Sequence, residues 1–129
     1  MIYVTDTHSF IWFLTASDKL SSTAKEIFKR AENGENTIVV PTIVLAEIMY
    51  LCNKKKFSLQ FKDVLEKISE GLNYSVYNLD LETIIKAEEI ESILEIHDKI
   101  IVASAMLLNA ALITSDRHII DSKLVNTIK

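Results

Sequence analysis

The chain has 129 residues, of which 49% are apolar and 25% charged, and it holds only two glycines and one proline. That is enough for one globular core and leaves little material for long loops, so a single domain over residues 1–129 is expected. The net charge of −4 argues against a protein that grips nucleic acid by bulk positive charge, although carboxylates that bind divalent cations count as negative here and are neutralised in use.

Taken in order, short β-rich runs alternate with helical patterns. Residues 2–5 read as a buried strand and 8–14 as a short apolar helix. Ser21 or Ser22 can cap a helix whose apolar residues Ala24, Ile27, Phe28 and Ala31 fall at helical spacing, with Gly34 ending it. A second strand is expected over 37–40, and Pro41-Thr42 opens a helix to about residue 53. Ser58 is the expected cap of the next helix, which carries Phe61, Val64, Leu65, Ile68 and Leu72 on one stripe. A third strand over 74–79 precedes a helix capped by Asp80 and running to about residue 94. Asp98 is expected to open an almost wholly apolar helix to residue 108. A fourth strand over 111–114, one helical turn over 117–120 and an edge strand over 124–128 complete the chain.

Strands separated by helices imply crossover connections and a parallel sheet. The expected fold is therefore α/β, a three-layer α/β/α sandwich around a central parallel sheet of four to five strands. Such sheets bind ligands beyond the carboxyl ends of their strands, where the strand order reverses. Cys52 is the only cysteine, so no internal disulfide is possible and a cytoplasmic, reducing setting fits. The amino-terminal residues do not read as a signal peptide. The longest apolar stretch, residues 100–108, is far below the ~20 residues of a membrane span, so no membrane role is expected.

Four acidic residues draw the chemistry. Asp6 follows the first strand, Asp116 follows the fourth, and Asp98 stands at a helix start. Each alone reads equally as a helix or turn cap. Glu47 is the one charged residue among the apolar residues 43–52. A helix buried nearly all round rarely carries an unpaired carboxylate, so Glu47 marks either a salt bridge, a narrow wet face or a site. All four fall at one edge of the expected sheet. Like charges gathered there would repel unless a divalent cation sat among them. Hard cations such as Mg²⁺ take oxygen ligands and keep several waters.

The segments Tyr3-Val-Thr-Asp6-Thr-His-Ser-Phe-Ile-Trp12, Pro41-Thr-Ile-Val-Leu-Ala-Glu47, His97-Asp98-Lys-Ile-Ile-Val-Ala-Ser-Ala105 and Leu112-Ile-Thr-Ser-Asp116 together resemble PIN-domain nucleases. The likeness is greatest to the VapC class, the toxin half of type II toxin–antitoxin pairs. The resemblance implies an endoribonuclease that uses Mg²⁺ or Mn²⁺, with Asp6, Glu47, Asp98 and Asp116 as the metal-binding and catalytic acids. It implies Asp6 as central ligand, Asp98 and Asp116 completing the cage, and Thr114 as a supporting hydroxyl. It also implies an RNA substrate and an antitoxin partner. The chain departs from the family in two places. Glu95-Ile-His97 stands where an Arg-Asp-Pro-Phe stretch is frequent, and an acid sometimes found after the fourth is replaced by His118 or displaced to Asp121.

Lys54, Lys55, Lys56 and Arg117 are candidate phosphate contacts, although the lysines also read as a solvated helix end. His8, His97 and His118 lack metal-ligand spacing. Phe10, Trp12 and Phe13 read as core or dimer contact, and a homodimer using that run and the 43–52 helix is expected. The rival readings are a non-catalytic interaction module on the same fold and another magnesium-dependent α/β phosphate hydrolase. An aspartyl-phosphate mechanism is disfavoured because His8 stands where its second acid is needed.

Overall fold

The computed structural model describes residues 1–129. The elements run β1 (Ile2–Thr5), α1 (Thr7–Leu14), α2 (Ser22–Glu32), β2 (Thr37–Pro41), α3 (Thr42–Asn53), α4 (Phe61–Glu70), β3 (Tyr74–Tyr77), α5 (Leu81–Glu88), α6 (Ile96–Leu108), β4 (Ala111–Ile113), α7 (Arg117–Ser122) and β5 (Thr127–Ile128). The five strands form one sheet in the order β3-β2-β1-β4-β5, and every pairing is parallel. From β1 the chain steps outward to β2 and β3, then returns to build β4 and β5 on the other side. Crossovers of one hand running in opposite directions put helices on both faces, which is the expected sandwich. The order reverses between β1 and β4.

Burial follows the topology. Val4, Ile38, Val40, Leu112 and Ile113 in the three inner strands are fully buried, as befits a parallel sheet covered on both faces. The edge strand β3 is more open. The periodicity of α2 is realised: Ala24, Ile27, Phe28 and Ala31 are its buried residues, and the Ser21 side chain caps it by accepting from the Ala24 amide. Gly34 follows at φ +82°, the left-handed geometry that glycine adopts without steric cost.

Several boundaries differ from the sequence expectation. Ser58 does not cap α4, whose N-cap is Gln60 without a side-chain bond. Strand β3 stops at Tyr77, because the Leu79 amide turns away from the ladder and donates to the Thr42 hydroxyl at 3.0 Å. Helix α5 ends at Glu88 and not near residue 94. Glu88, Glu89 and Glu91 crowd its end, where the negative pole of the helix disfavours carboxylates. Helix α6 begins two residues before Asp98, since Glu95 is the cap and accepts from the His97 amide. Strand β5 is reduced to two residues.

The apolar surface is also distributed differently. Phe10 and Ile11 are fully buried in the core, and Phe13 stacks on Phe28 with ring centroids 4.6 Å apart. Phe10 and Ile11 are therefore closed to a second copy, while Trp12 and Phe13 stay partly exposed. Helix α3 is not buried all round: Val44 and Ile48 face the core, while Met49 and Tyr50 are 44% and 59% exposed. The larger exposed apolar set lies on α5 and the loop after it, with Leu81 71%, Ile84 50% and Ile85 53% exposed.

Candidate functional site

The pairing of β1 with β4 sets Thr5 opposite Ile113, and the Asp6 amide extends it by donating to the Ile113 carbonyl at 3.2 Å. The next residues, Asp6 and Thr114, therefore meet beyond the strand ends. The Thr114 hydroxyl donates to Asp6 Oδ2 at 2.5 Å, a length typical of a bond to a charged acceptor. The Thr114 Oγ1 in turn accepts from the Asp116 amide at 3.1 Å. One hydroxyl thus links the acid after β1 to the acid after β4.

Asp6 also caps α1, its Oδ1 accepting from the Ser9 amide at 2.9 Å. Asp116 caps α7, its Oδ1 accepting from the amides of His118 at 2.8 Å and Ile119 at 3.2 Å. The capping and site readings are therefore compatible. Capping spends part of each carboxylate's acceptor capacity and fixes its direction, and a carboxylate has about four lone-pair sites in all. Asp98 is no cap. It lies in the first turn of α6, near the positive helix pole. Glu47, in the second turn of α3, accepts from the Thr7 hydroxyl at 2.7 Å and takes no part in the ion pairs of the chain. The salt-bridge explanation of Glu47 is thereby removed.

All four acids line one cleft of about 350 Å³, together with Thr7, His8, Trp12, Ile101 and Ser115. Three other hollows are larger: one at the amino ends of the strands beside Met1 and Leu124 and one beside Lys55 and Phe57, neither lined by a carboxylate, and one at the end of α5 with Glu89 and Glu91 beside Lys86. The electrostatics follow from crowding. Asp6 is only 9% exposed. Burial raises its pKa above the usual carboxylate range, outweighing the bonds from Thr114 and Ser9 and the nearby His8. Asp98 is pushed up to about 6, first by burial and then by Asp116, Glu95, Glu47 and Asp6. Asp98 thus feels the other three acids of the cleft, and such perturbations cluster where charge is used.

The donor set fits a hard divalent cation, with a qualification of geometry. No three acidic, histidine or cysteine side chains stand close enough to hold one ion between them. A closed cage, as the sequence resemblance implies, is absent. The arrangement matches the way Mg²⁺ is commonly held, by one or two carboxylates with several retained waters and room for phosphate.

The remaining candidates fall outside the cleft. Lys54, Lys55 and Lys56 are exposed at the end of α3, and Lys54 lies over the Tyr50 ring at 5.5 Å. Arg117 and His118 are exposed in the first turn of α7, next in sequence to Asp116, and neither they nor Asp121 line the cleft. Thr7 and Ser115, not singled out from sequence, do line it, as do His8 and Trp12, the latter expected as core or dimer contact. Beside the cleft, His97 Nδ1 and Glu95 Oε1 pair at 2.6 Å.

The PIN domain family profile matches residues 3–123. No curated protein matches the chain. Among solved structures, the chain is similar to VapBC2 from Rickettsia felis bound to a DNA fragment from its promoter, with 20% identity, TM-score 0.75, and 99% of this chain and 98% of that one covered. It is similar to a toxin–antitoxin complex from Klebsiella pneumoniae at 20% identity and TM-score 0.70, covering 98% and 96%. It is also similar to Mycobacterium tuberculosis VapC20, described as a sarcin–ricin loop cleaving toxin, at 17% identity and TM-score 0.71, with 97% of each chain covered.

The raised pKa of Asp98 carries a consequence for stability. A carboxyl that titrates near 6 when folded and near its ordinary value of 3.8 when unfolded holds its proton more tightly in the folded state. That contribution is complete below the unfolded pKa and is lost as pH rises through the folded one. In EDTA, the melting temperature of the wild type is expected to fall as pH rises from about 4 to about 6.5 because of Asp98. Asp98→Asn is expected to flatten this fall, though not to remove it, because Asp6 is shifted in the same direction. Identical slopes for both proteins in a thermal melt across that range would contradict the crowded-site electrostatics.

Proposed function

The chain belongs to the PIN domain family, and from that premise we propose that it is a metal-dependent endoribonuclease of one domain, acting as the toxin of a type II toxin–antitoxin pair. The observation that carries the reading is the meeting of Asp6, Glu47, Asp98 and Asp116 in one cleft at the switch point of the sheet. Structural neighbours described as VapBC and toxin–antitoxin complexes, and as a toxin that cleaves the sarcin–ricin loop, support both the RNA substrate and an antitoxin partner.

Magnesium or manganese would be held among Asp6, Asp98, Asp116 and Glu47, one or two of them as direct ligands and the others through retained waters, and would supply an acidified water and neutralise phosphate charge. The chain's own residues then have distinct tasks. Thr114 fixes the rotamer of Asp6 and ties it to Asp116. Thr7 engages Glu47 Oε1, which leaves Oε2 to accept from and orient the attacking water. The capping bonds of Asp6 and Asp116 keep both carboxylates in place before substrate arrives, so little ordering is left for the moment of reaction.

The test is incubation of bulk RNA with the purified protein in Mn²⁺, Mg²⁺ or EDTA. Cleavage is expected with either metal and not with EDTA. Asp6→Asn, Glu47→Gln, Asp98→Asn and Asp116→Asn are each expected to lose it. Thr114→Val, which keeps shape but removes the donor, is expected to lose roughly 10–100-fold. One observation favours a second reading: the open spacing of the acids would suit a non-catalytic module with a PIN fold. A folded wild type that leaves RNA intact with every divalent metal would favour that reading.

Assembly as a homodimer is part of the proposal. Leu81, Ile84 and Ile85 give α5 an apolar face open to solvent, a kind of surface that commonly marks a protein contact. Light scattering at micromolar concentration is expected to give the dimer mass, and Ile85→Glu to shift it toward monomer. A wild type that remains monomeric would remove this part of the proposal.

A further inference from the structure

Helix α1 divides its aromatic residues between two surroundings. Phe10 is fully buried and Phe13 stacks on Phe28. His8 and Trp12 are four residues apart, so they share a different face, and both line the acid cleft. Their ring centroids lie 5.9 Å apart at an interplanar angle of 51°. Trp12 packs against the core yet stays partly exposed. Apart from Trp12 and Ile101, the cleft is walled by carboxylates, hydroxyls and His8. A large indole at the wall of a small acidic cleft is neither a core residue nor a metal ligand.

This site has a binding problem that charge alone does not solve. Four carboxylates repel a phosphate chain, the protein is net negative, and the lysine run lies away from the cleft. Affinity beyond that of the cation must come from contacts indifferent to charge. Stacking of a nucleobase on an aromatic face is such a contact, and it is open to unpaired bases of single-stranded RNA. On the nuclease reading, we propose that Trp12, flanked by His8, is the platform on which a base next to the reacting phosphate stacks. Trp12 is then a substrate-positioning residue.

Trp12 is the only tryptophan in the chain, so its fluorescence reports on the platform directly. The wild type is titrated, with Ca²⁺ as the cation, with a short single-stranded RNA and separately with a base-free ribose-phosphate strand of equal length. A saturable change in emission is expected with the RNA and little with the base-free strand. In cleavage assays with Mn²⁺, Trp12→Leu is expected to raise KM roughly 5- to 150-fold with little change in kcat, and Trp12→Phe to restore most of the loss. RNA cleavage accompanied by equal emission with both strands would overturn the platform and leave the nuclease reading standing. An RNA-specific emission change without cleavage in any divalent metal would support the platform and overturn the nuclease. Silence in both assays would overturn both.

Discussion

The Thr114 hydroxyl donates to Asp6 and accepts from the Asp116 amide, and the cleft depends on that pair of hydrogen bonds. It exists because β1 and β4 pair in parallel with Thr5 opposite Ile113. A slip of one residue would turn every side chain of the strand to the other face and separate Asp6 from Thr114. At this register Val4, Leu112 and Ile113 are fully enclosed, and the pairing is continued past the strand ends by the Asp6 amide donating to the Ile113 carbonyl.

From that junction the other acids are recruited by helix starts. Asp98 enters on the first turn of α6, and Glu47 arrives through α3, held by Thr7, the residue directly after Asp6. The gathering works against stability. Asp6 is desolvated and Asp98 is lifted by burial and by its acidic neighbours. Such strain is the usual companion of a functional site, where local rules are broken and compensated elsewhere. Here the compensation comes from capping amides and hydroxyls that hold the carboxylates without neutralising them. A bound cation would neutralise them. The wide spacing of the acids means that it would keep much of its water.

Much of this was legible in the sequence because it rests on periodicity and on polar residues at element ends. The alternation of strands and helices gave the parallel sheet, and Asp6 and Asp116 stood out as acids immediately after apolar strands. Boundaries set by competition between local groups were less legible. Asp98 and Glu95 are both plausible caps, and only the backbone shows that Glu95 takes the role and frees Asp98 for the cleft. The end of α5 at Glu88 was missed because no glycine or proline marks it. The faces of α1 were hidden for a different reason. In the run from Phe10 to Phe13 every residue looks like core, and the sheet's position decides that Phe10 goes inward and Trp12 goes to the site. The lysine run is a local charge signal whose distance from the cleft is a tertiary fact.

The central claim is that Asp6 anchors a cation site and does more than cap a helix. Thermal unfolding of the wild type and of Asp6→Asn, each in EDTA and in Mn²⁺, tests it most directly, because asparagine preserves capping but not the charge. The account requires Mn²⁺ to stabilise the wild type, by roughly 2.7 kcal/mol at a hundredfold excess over its Kd. It requires Asp6→Asn to melt higher than wild type in EDTA and to gain much less from the metal. Two proteins that melt alike in both conditions would reduce Asp6 to a cap and leave the cleft without its proposed purpose.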